Sequence, residues 1–189
     1  RRRKAEGQGP LAGLRIIDLG AFVAGAYNTA LLADYGAEVI KVEPPGGDTN
    51  RLSYSSFTSA NRGKRSIVLD LKSEADRQAL YALCQDADVV TNNFRSGVST
   101  RLGVDAKALH AVAPHLIVLE SSAFGPTGPK ARNAGFDPVI QAYTGVEYAA
   151  GGEGNDPLWN RTVPADYTAG LLGAAAILLA VYRRARTGA

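Results

Sequence analysis

Short apolar runs alternate with amphipathic stretches through most of the chain. Leu14-Arg15-Ile16-Ile17-Asp18-Leu19 reads as a buried strand after a turn at Gly13. Val23 to Tyr35 reads as a helix, with Tyr27, Ala30, Leu31 and Asp34 at helical spacing. Gly36 is placed to end it in a left-handed cap. Ala37 to Glu43 is a second strand, stopped by Pro44-Pro45-Gly46-Gly47. A strand–helix–strand unit of this kind predicts parallel pairing with a right-handed crossover. Asp48 to Lys64 is polar and reads as loop. Ser66 to Leu71 is a third strand, and Ser73 caps a helix through Gln85 with Leu80 and Leu83 facing inward. Ala87 to Thr91 is a fourth strand, ending at Asn92-Asn93-Phe94. A short helix around Ala106 to Val112 and a fifth strand at Leu116 to Glu120 follow. The alternation predicts an α/β fold: a Rossmann-like open, mainly parallel sheet with helices on both faces, ending in a long helix.

After Ser122 the pattern changes. Gly125, Pro126, Gly128 and Pro129 make Ala123 to Asn133 a loop, and a helix runs from Asp137 to about Val146. A glycine-rich stretch spans Gly145 to Gly154. The last helix starts near Pro164, where the missing N–H is harmless, and runs past Tyr182. Its apolar run, Ala169 to Tyr182, is shorter than a bilayer requires and reads as a core helix, so no membrane partner is expected.

Length and charge narrow the classes. The 189 residues suit one domain, and 46% apolar with 21% charged residues is ordinary for a soluble globular protein. Arg1, Arg2, Arg3 and Lys4 against Glu6 account for the net charge of +3. Residues 1–9 therefore read as a basic tail or linker on a neutral body, which argues against a nucleic-acid partner. No apolar stretch follows the tail, so it is not a secretory signal. Cys84 is the only cysteine and cannot form an internal disulfide, which suits a reducing compartment and a cytoplasmic location. Cys84, His110 and His115 have no zinc spacing, and no metal site is expected.

In an open α/β sheet, ligands sit outside the carboxyl ends of the strands. Those ends carry Gly20-Ala21-Phe22-Val23, Glu43-Pro44, Leu69 to Lys72, Asn92 to Arg95 and Ser121-Ser122. Glu43 mimics the ribose carboxylate of a dinucleotide site. Gly20 and Gly25 do not form the glycine fingerprint that such a site requires. The cations of Asn61-Arg62-Gly63-Lys64-Arg65 read as a solvated turn or as a phosphate clamp. Asp166, in Val163-Pro164-Ala165-Asp166-Tyr167-Thr168-Ala169-Gly170, stands at the mouth of the last helix. As a helix cap it would contribute about 1 kcal/mol. The same setting suits an ionised nucleophile. Position alone leaves both readings open.

Five segments together resemble a known family. They are P-L-A-G-L-R-I-I-D-L from Pro10, L-L-A-D-Y-G-A-E-V-I-K-V-E-P-P-G-G-D from Leu31, N-R-G-K-R-S-I-V-L-D-L-K from Asn61, A-D-V-V-T-N-N-F-R-S-G from Ala87, and V-P-A-D-Y-T-A-G from Val163. In that order they resemble the class III CoA-transferases, of the formyl-CoA and carnitine CoA-transferase type. The resemblance implies coenzyme A as substrate and carrier, with no permanently bound cofactor. It implies an acyl-CoA and a small carboxylic acid as partners. Asp166 falls on the family's nucleophile, which forms a mixed aspartyl anhydride and then an aspartyl-CoA thioester. CoA contacts carry over to Val23, Ala24, Leu69, Asp70, Leu71, Lys72, Asn93 and Phe94, with Arg101 as a phosphate contact. Ala134, Gly135, Phe136 and Asp137 approach the thioester end. Gly151-Gly152-Glu153-Gly154 resembles the family's mobile glycine-rich segment.

The sequence departs from the family in three places. Pro44 stands where some members carry an Arg, which removes a phosphate or adenine contact. Phe136 stands where transferases carry Tyr and related racemases carry a His base, so it argues against racemisation. Family chains are about twice as long and include a small second domain that is absent from this chain. Residues 10–189 are therefore expected to be the CoA-binding large-domain portion of a longer chain. The partner is expected to be an interlocked homodimer mate or the other half of that chain. Two other classes remain: a non-catalytic CoA-binding portion, and an acyl-CoA lyase or isomerase on the same fold.

Overall fold

The computed structural model describes residues 9–188, so the basic stretch assigned to 1–9 lies outside the described residues except for Gly9. Five strands form one sheet: β1 (Arg15–Asp18), β2 (Glu38–Glu43), β3 (Arg65–Val68), β4 (Val89–Asn92) and β5 (Ile117–Glu120). Their spatial order is β3-β2-β1-β4-β5, and every pairing is parallel. The register explains the two-sided burial. Ile16 lies level with Val39 and Val89, and these face α1 (Phe22–Asp34) and α8 (Pro164–Thr187) through Leu32, Ala174 and Ile177. Ile17 and Val90 point the other way. They pack under α3 (Glu74–Gln85) and α5 (Ala106–Val112) with Leu80, Cys84 and Leu109. Burial on both faces is why these strands read as continuous apolar runs. The order reverses between β1 and β4, which opens a crevice at their carboxyl ends.

Three predicted elements differ from those observed. The polar stretch Asp48 to Lys64 is not loop. It holds a 3-10 turn at Thr49–Leu52, capped by the Asp48 side chain on the Asn50 amide, and α2 (Tyr54–Asn61). α2 is mostly polar because little of it enters the core: Ala60 is its buried residue, and Phe57 stacks under Arg51. α4 (Val98–Leu102) is bracketed by Gly97 and Gly103, both at positive φ. The helix predicted from Asp137 divides at Gly145 (φ +80) into α6 (Asp137–Thr144) and α7 (Val146–Gly151). More than half of the glycine-rich stretch is therefore helical. The third strand stops at Val68, and Leu69 to Lys72 form the turn beyond it.

α8 lies directly on α1. A Cβ on Gly170 would stand 2.9 Å from the Tyr27 Cβ, and the Tyr27 and Tyr167 rings meet edge to face at 4.8 Å. At 24 residues α8 exceeds the apolar run read from the sequence, and by length and composition alone it is long and apolar enough to cross a membrane. Its stripe of Gly170, Gly173, Ala174 and Ile177 is buried against the rest of the fold, whereas Leu171, Leu172, Leu179 and Tyr182 are exposed. Gly170→Leu is expected to lift α8 from α1 and to destabilise the fold by about 2 kcal/mol, the usual cost of overpacking. Equilibrium unfolding in urea checks this; an unchanged midpoint would mean the helices are not in close contact.

Candidate active site

The crevice is built around the β1–α1 turn. Asp18, at the end of β1, accepts from the Gly20 amide (2.8 Å), Thr29 Oγ1 (2.8 Å) and Lys64 Nζ (2.7 Å). Lys41 Nζ donates to the Gly20 carbonyl (2.6 Å) and pairs with Asp48 at 3.0 Å. The Asn93 side chain then grips Ala21 from both sides. Its Oδ1 accepts from the Ala21 amide and its Nδ2 donates to the Ala21 carbonyl, both at 2.9 Å. A Cβ on Gly25 would come within 2.3 Å of the Asn93 amide carbon, so the clasp requires glycine there. With the turn fixed on both residues, Phe22 is held at φ +54, an unfavourable value for a non-glycine residue. α1 begins without a side-chain cap or an acidic residue in its first turn. Its leading amides and the positive end of its dipole face the crevice.

Two cavities flank this turn. The first, about 250 Å³, is lined by Gly20, Val42, Leu69, Leu71, Lys72 and Phe94 among others, at the ends of β1 to β4. The second, about 180 Å³, is lined by Ala24, Asn93, Ser121, Ser122, Phe136 and Asp166 among others. Phe22 and Phe136 meet edge to face at 5.6 Å beside it.

The structure brings most of the expected residues to these cavities. Leu69, Asp70, Leu71, Lys72 and Phe94 line the first, and Ala24, Asn93, Gly135, Phe136 and Asp166 line the second. Val23, in the first turn of α1, is buried and lines neither cavity. Arg101 on α4 and Ala134 are exposed and line neither cavity. Asn93 has its amide committed to Ala21. Asp137 is buried and committed as well: its Oδ2 accepts from the amides of Ala165 (2.8 Å) and Asp166 (3.2 Å). Sequence reasoning passed over Lys41, a lysine inside an apolar strand, although that position was itself a signal of a buried ion pair.

Two other candidates take on structural roles. The cations of the Asn61 segment are tied to carboxylates: Arg62 to Asp34, Lys64 to Asp18 and Arg65 to Glu38. The segment is thus a set of ion pairs, not a phosphate clamp. Glu43 accepts from Arg51 Nε at 2.7 Å, from Arg51 Nη2 at 2.6 Å, from the Asp48 amide at 2.9 Å and from Ser66. Chiefly through Arg51, its carboxyl is held down at about 2. These bonds leave it no role as a ribose carboxylate.

Asp166 does not cap its own helix. It lines the second cavity beside Ala24, in the first turn of α1, and the Ala24 amide favours the ionised form of its carboxyl. Burial, and then the nearby Asp137 charge, push it up to about 6, against the lowering effect of that amide. At neutral pH it is ionised but poorly solvated.

The chain matches CoA-transferase family III over residues 11–189. It is 39% identical to the acetyl-CoA:oxalate CoA-transferase of Acetobacter aceti, over 97% of this chain and 50% of that protein. It is 36% identical to a succinyl-CoA–L-malate CoA-transferase alpha subunit of Chloroflexus aurantiacus, over 95% of this chain and 44% of that one. Among solved structures, Rv3272 from Mycobacterium tuberculosis superposes with a TM-score of 0.90 at 35% identity, covering 98% of this chain and 52% of that one. A CaiB/BaiF family protein from Brucella suis gives a TM-score of 0.90 at 37% identity, covering 96% of this chain and 51% of that one. The chain thus spans about half the length of the relatives it matches.

Proposed function

The chain belongs to CoA-transferase family III, and from that premise we propose that it supplies the nucleophile and the CoA-binding cavity of an enzyme that moves coenzyme A from an acyl-CoA to a carboxylic acid. One observation carries this reading: Asp166 lines a cavity together with Ala24 of α1, while the free amides at the head of its own helix are taken by Asp137. An ionised, half-desolvated carboxylate is a better nucleophile than a hydrated one. In this reading the first-turn amides of α1, beside the same cavity, are the donors to negative charge that develops on an attacked carbonyl.

In this proposal Asp166 attacks the donor thioester carbonyl, a C–O bond forms and CoA leaves as a thiolate. The product is a mixed anhydride of Asp166 and the donor acid. The thiolate attacks the aspartyl carbonyl and releases the donor carboxylate, leaving an aspartyl-CoA thioester. The acceptor carboxylate attacks that thioester and displaces the thiolate, giving a second anhydride. Attack of the thiolate on the acceptor acyl carbonyl yields the new acyl-CoA and regenerates the Asp166 carboxylate. No net proton is gained or lost. The first cavity, beyond β1 to β3, accepts the nucleotide end of CoA, with Leu69, Leu71 and Phe94 as apolar walls and Lys72 beside the phosphates.

The partner belongs to the same proposal. Exposed Leu171, Leu172, Leu179 and Tyr182 on α8 favour cover by the other half of a longer chain or by an interlocked homodimer mate. A cytoplasmic location is part of the same proposal, and the single buried thiol suits the reducing compartment it implies.

Intact-mass analysis of the complete protein tests the chemistry. It is incubated with a panel of acyl-CoA donors, trapped with hydroxylamine and digested. The expected product is a hydroxamate at Asp166 that requires acyl-CoA. Measurable CoA binding with no modification from any donor would replace this reading with a non-catalytic binding module.

A further inference from the structure

We infer that Asp137 is a positioning residue for Asp166: it occupies the amino end of α8 so that the Asp166 carboxylate is left free to face the cavity. The inference rests on the proposed role of Asp166 as nucleophile.

A helix presents its first amides without partners inside the helix. In α8 the first residue is Pro164, which has no N–H, and the Tyr167 amide already bonds the Val163 carbonyl at 3.2 Å. Two donors remain, the amides of Ala165 and Asp166, and Asp137 Oδ2 accepts from both. Val163, the residue at the cap position, contributes no side-chain bond and sits at φ +46. The cap therefore comes from another element, α6, some thirty positions earlier in the chain. An aspartate in the first turn ordinarily folds back on these very amides. Here they are taken by Asp137, and Asp166 lines the cavity beside Ala24 instead.

Asp137 is itself held firmly. It is 2% exposed, and its Oδ1 accepts from Gln141 Nε2 and from Trp159 Nε1 at 3.4 Å. Gln141 also grips the backbone of Asn160, donating to its carbonyl at 3.0 Å and accepting from its amide at 3.1 Å. This clip fastens the approach to α8 onto α6. Among the described residues, the Asp166 cavity is lined by no other charged side chain, so Asp137 is the charge that faces Asp166.

The test uses the complete protein with acyl-CoA and hydroxylamine, reading the rate of hydroxamate formation at Asp166 against pH. CoA affinity is measured alongside by calorimetry. Asp137→Ala is expected to slow capture about 100-fold, the order of loss that a misplacement near 1 Å brings, with CoA affinity unchanged. Asp137→Asn keeps an acceptor for the two amides but removes the charge and sets its NH2 against the Gln141 and Trp159 donors, so recovery is partial. It is expected to restore capture to within about tenfold of the original and to move the midpoint of the pH profile down by roughly one unit. A residue that merely stabilised the fold would leave that midpoint in place. Capture at the original rate in Asp137→Ala, or an unmoved midpoint in Asp137→Asn, would overturn the inference while leaving Asp166 as nucleophile. If Asp137→Ala does not fold, the Asn variant carries the test by its midpoint. Absence of labelling in the unaltered protein would overturn both readings together.

Discussion

Asp166→Asn is expected to abolish covalent capture, by about 10⁴-fold or more, while making the protein more resistant to heat at pH 8. Both effects have one cause. Burial pushes the carboxyl up to about 6 from its ordinary value of 3.8, so the fold disfavours the charged form that the chemistry requires. The sign follows from proton binding. Between about 4 and 6 the folded protein holds a proton that the unfolded chain has lost, so stability falls as pH rises through that window. Above it, the whole penalty of the charge is present. The Asn variant carries no such penalty, so its advantage in Tm is present at pH 8 and vanishes near pH 4. Capture by the unaltered protein runs the opposite way: it declines as pH falls through about 6, because the protonated carboxyl is no nucleophile. Thermal melts at both pH values, with a pH–rate profile, check the pair. An Asn variant no more stable at pH 8 than the original would refute the argument from desolvation.

Asp18→Ala is expected to destabilise the protein by about 4 kcal/mol, a larger loss than Gly170→Leu brings. It leaves the Lys64 ammonium, 2% exposed, without its carboxylate partner. Burial already lowers the Lys64 value, and Asp18 is the charge that most opposes this. The same substitution strips an acceptor from the Gly20 amide and loosens the turn that sets α1. Denaturant unfolding reads the loss. The double variant Asp18→Ala with Lys64→Met is expected to be more stable than Asp18→Ala alone, since it removes the stranded charge as well. A double variant no better than the single would show that the turn, and not the ion pair, carries the stability.

The strands and the α8 helix were legible as continuous apolar runs, short in the strands and long in α8. Ile16 and Ile17 sit on opposite faces of the sheet, and both faces are covered, so the run reads as a strand whichever way it is turned. α2 was not legible, since a helix of Tyr54-Ser55-Ser56-Phe57-Thr58-Ser59-Ala60-Asn61 that buries little but Ala60 carries no apolar stripe to detect. The site was legible in part. Asp166 and the Leu69 to Lys72 turn stand at strand or helix ends, where local position already marks them. Asp137 was placed near the thioester by resemblance. Its bonds to Ala165 and Asp166 join residues far apart in sequence, and no local pattern records such a pair. The charges of the Asn61 segment misled for the same reason: their partners Asp18, Asp34 and Glu38 come from other elements.

Cys84, on the inner face of α3, has no exposed surface, and burial pushes its thiol up to about 12. The proposed cycle sets free a CoA thiolate at every turnover, a ready attacker of disulfides and a partner for oxidised thiols. The chain offers it nothing to couple with. Mixed disulfides with the cofactor, a common route to inactivation of thiol-bearing enzymes, are closed to this chain while it is folded. The same sealing makes the chain a cysteine-silent background. One thiol introduced at an exposed position would take a spectroscopic label without competition, and its signal would report on that position alone.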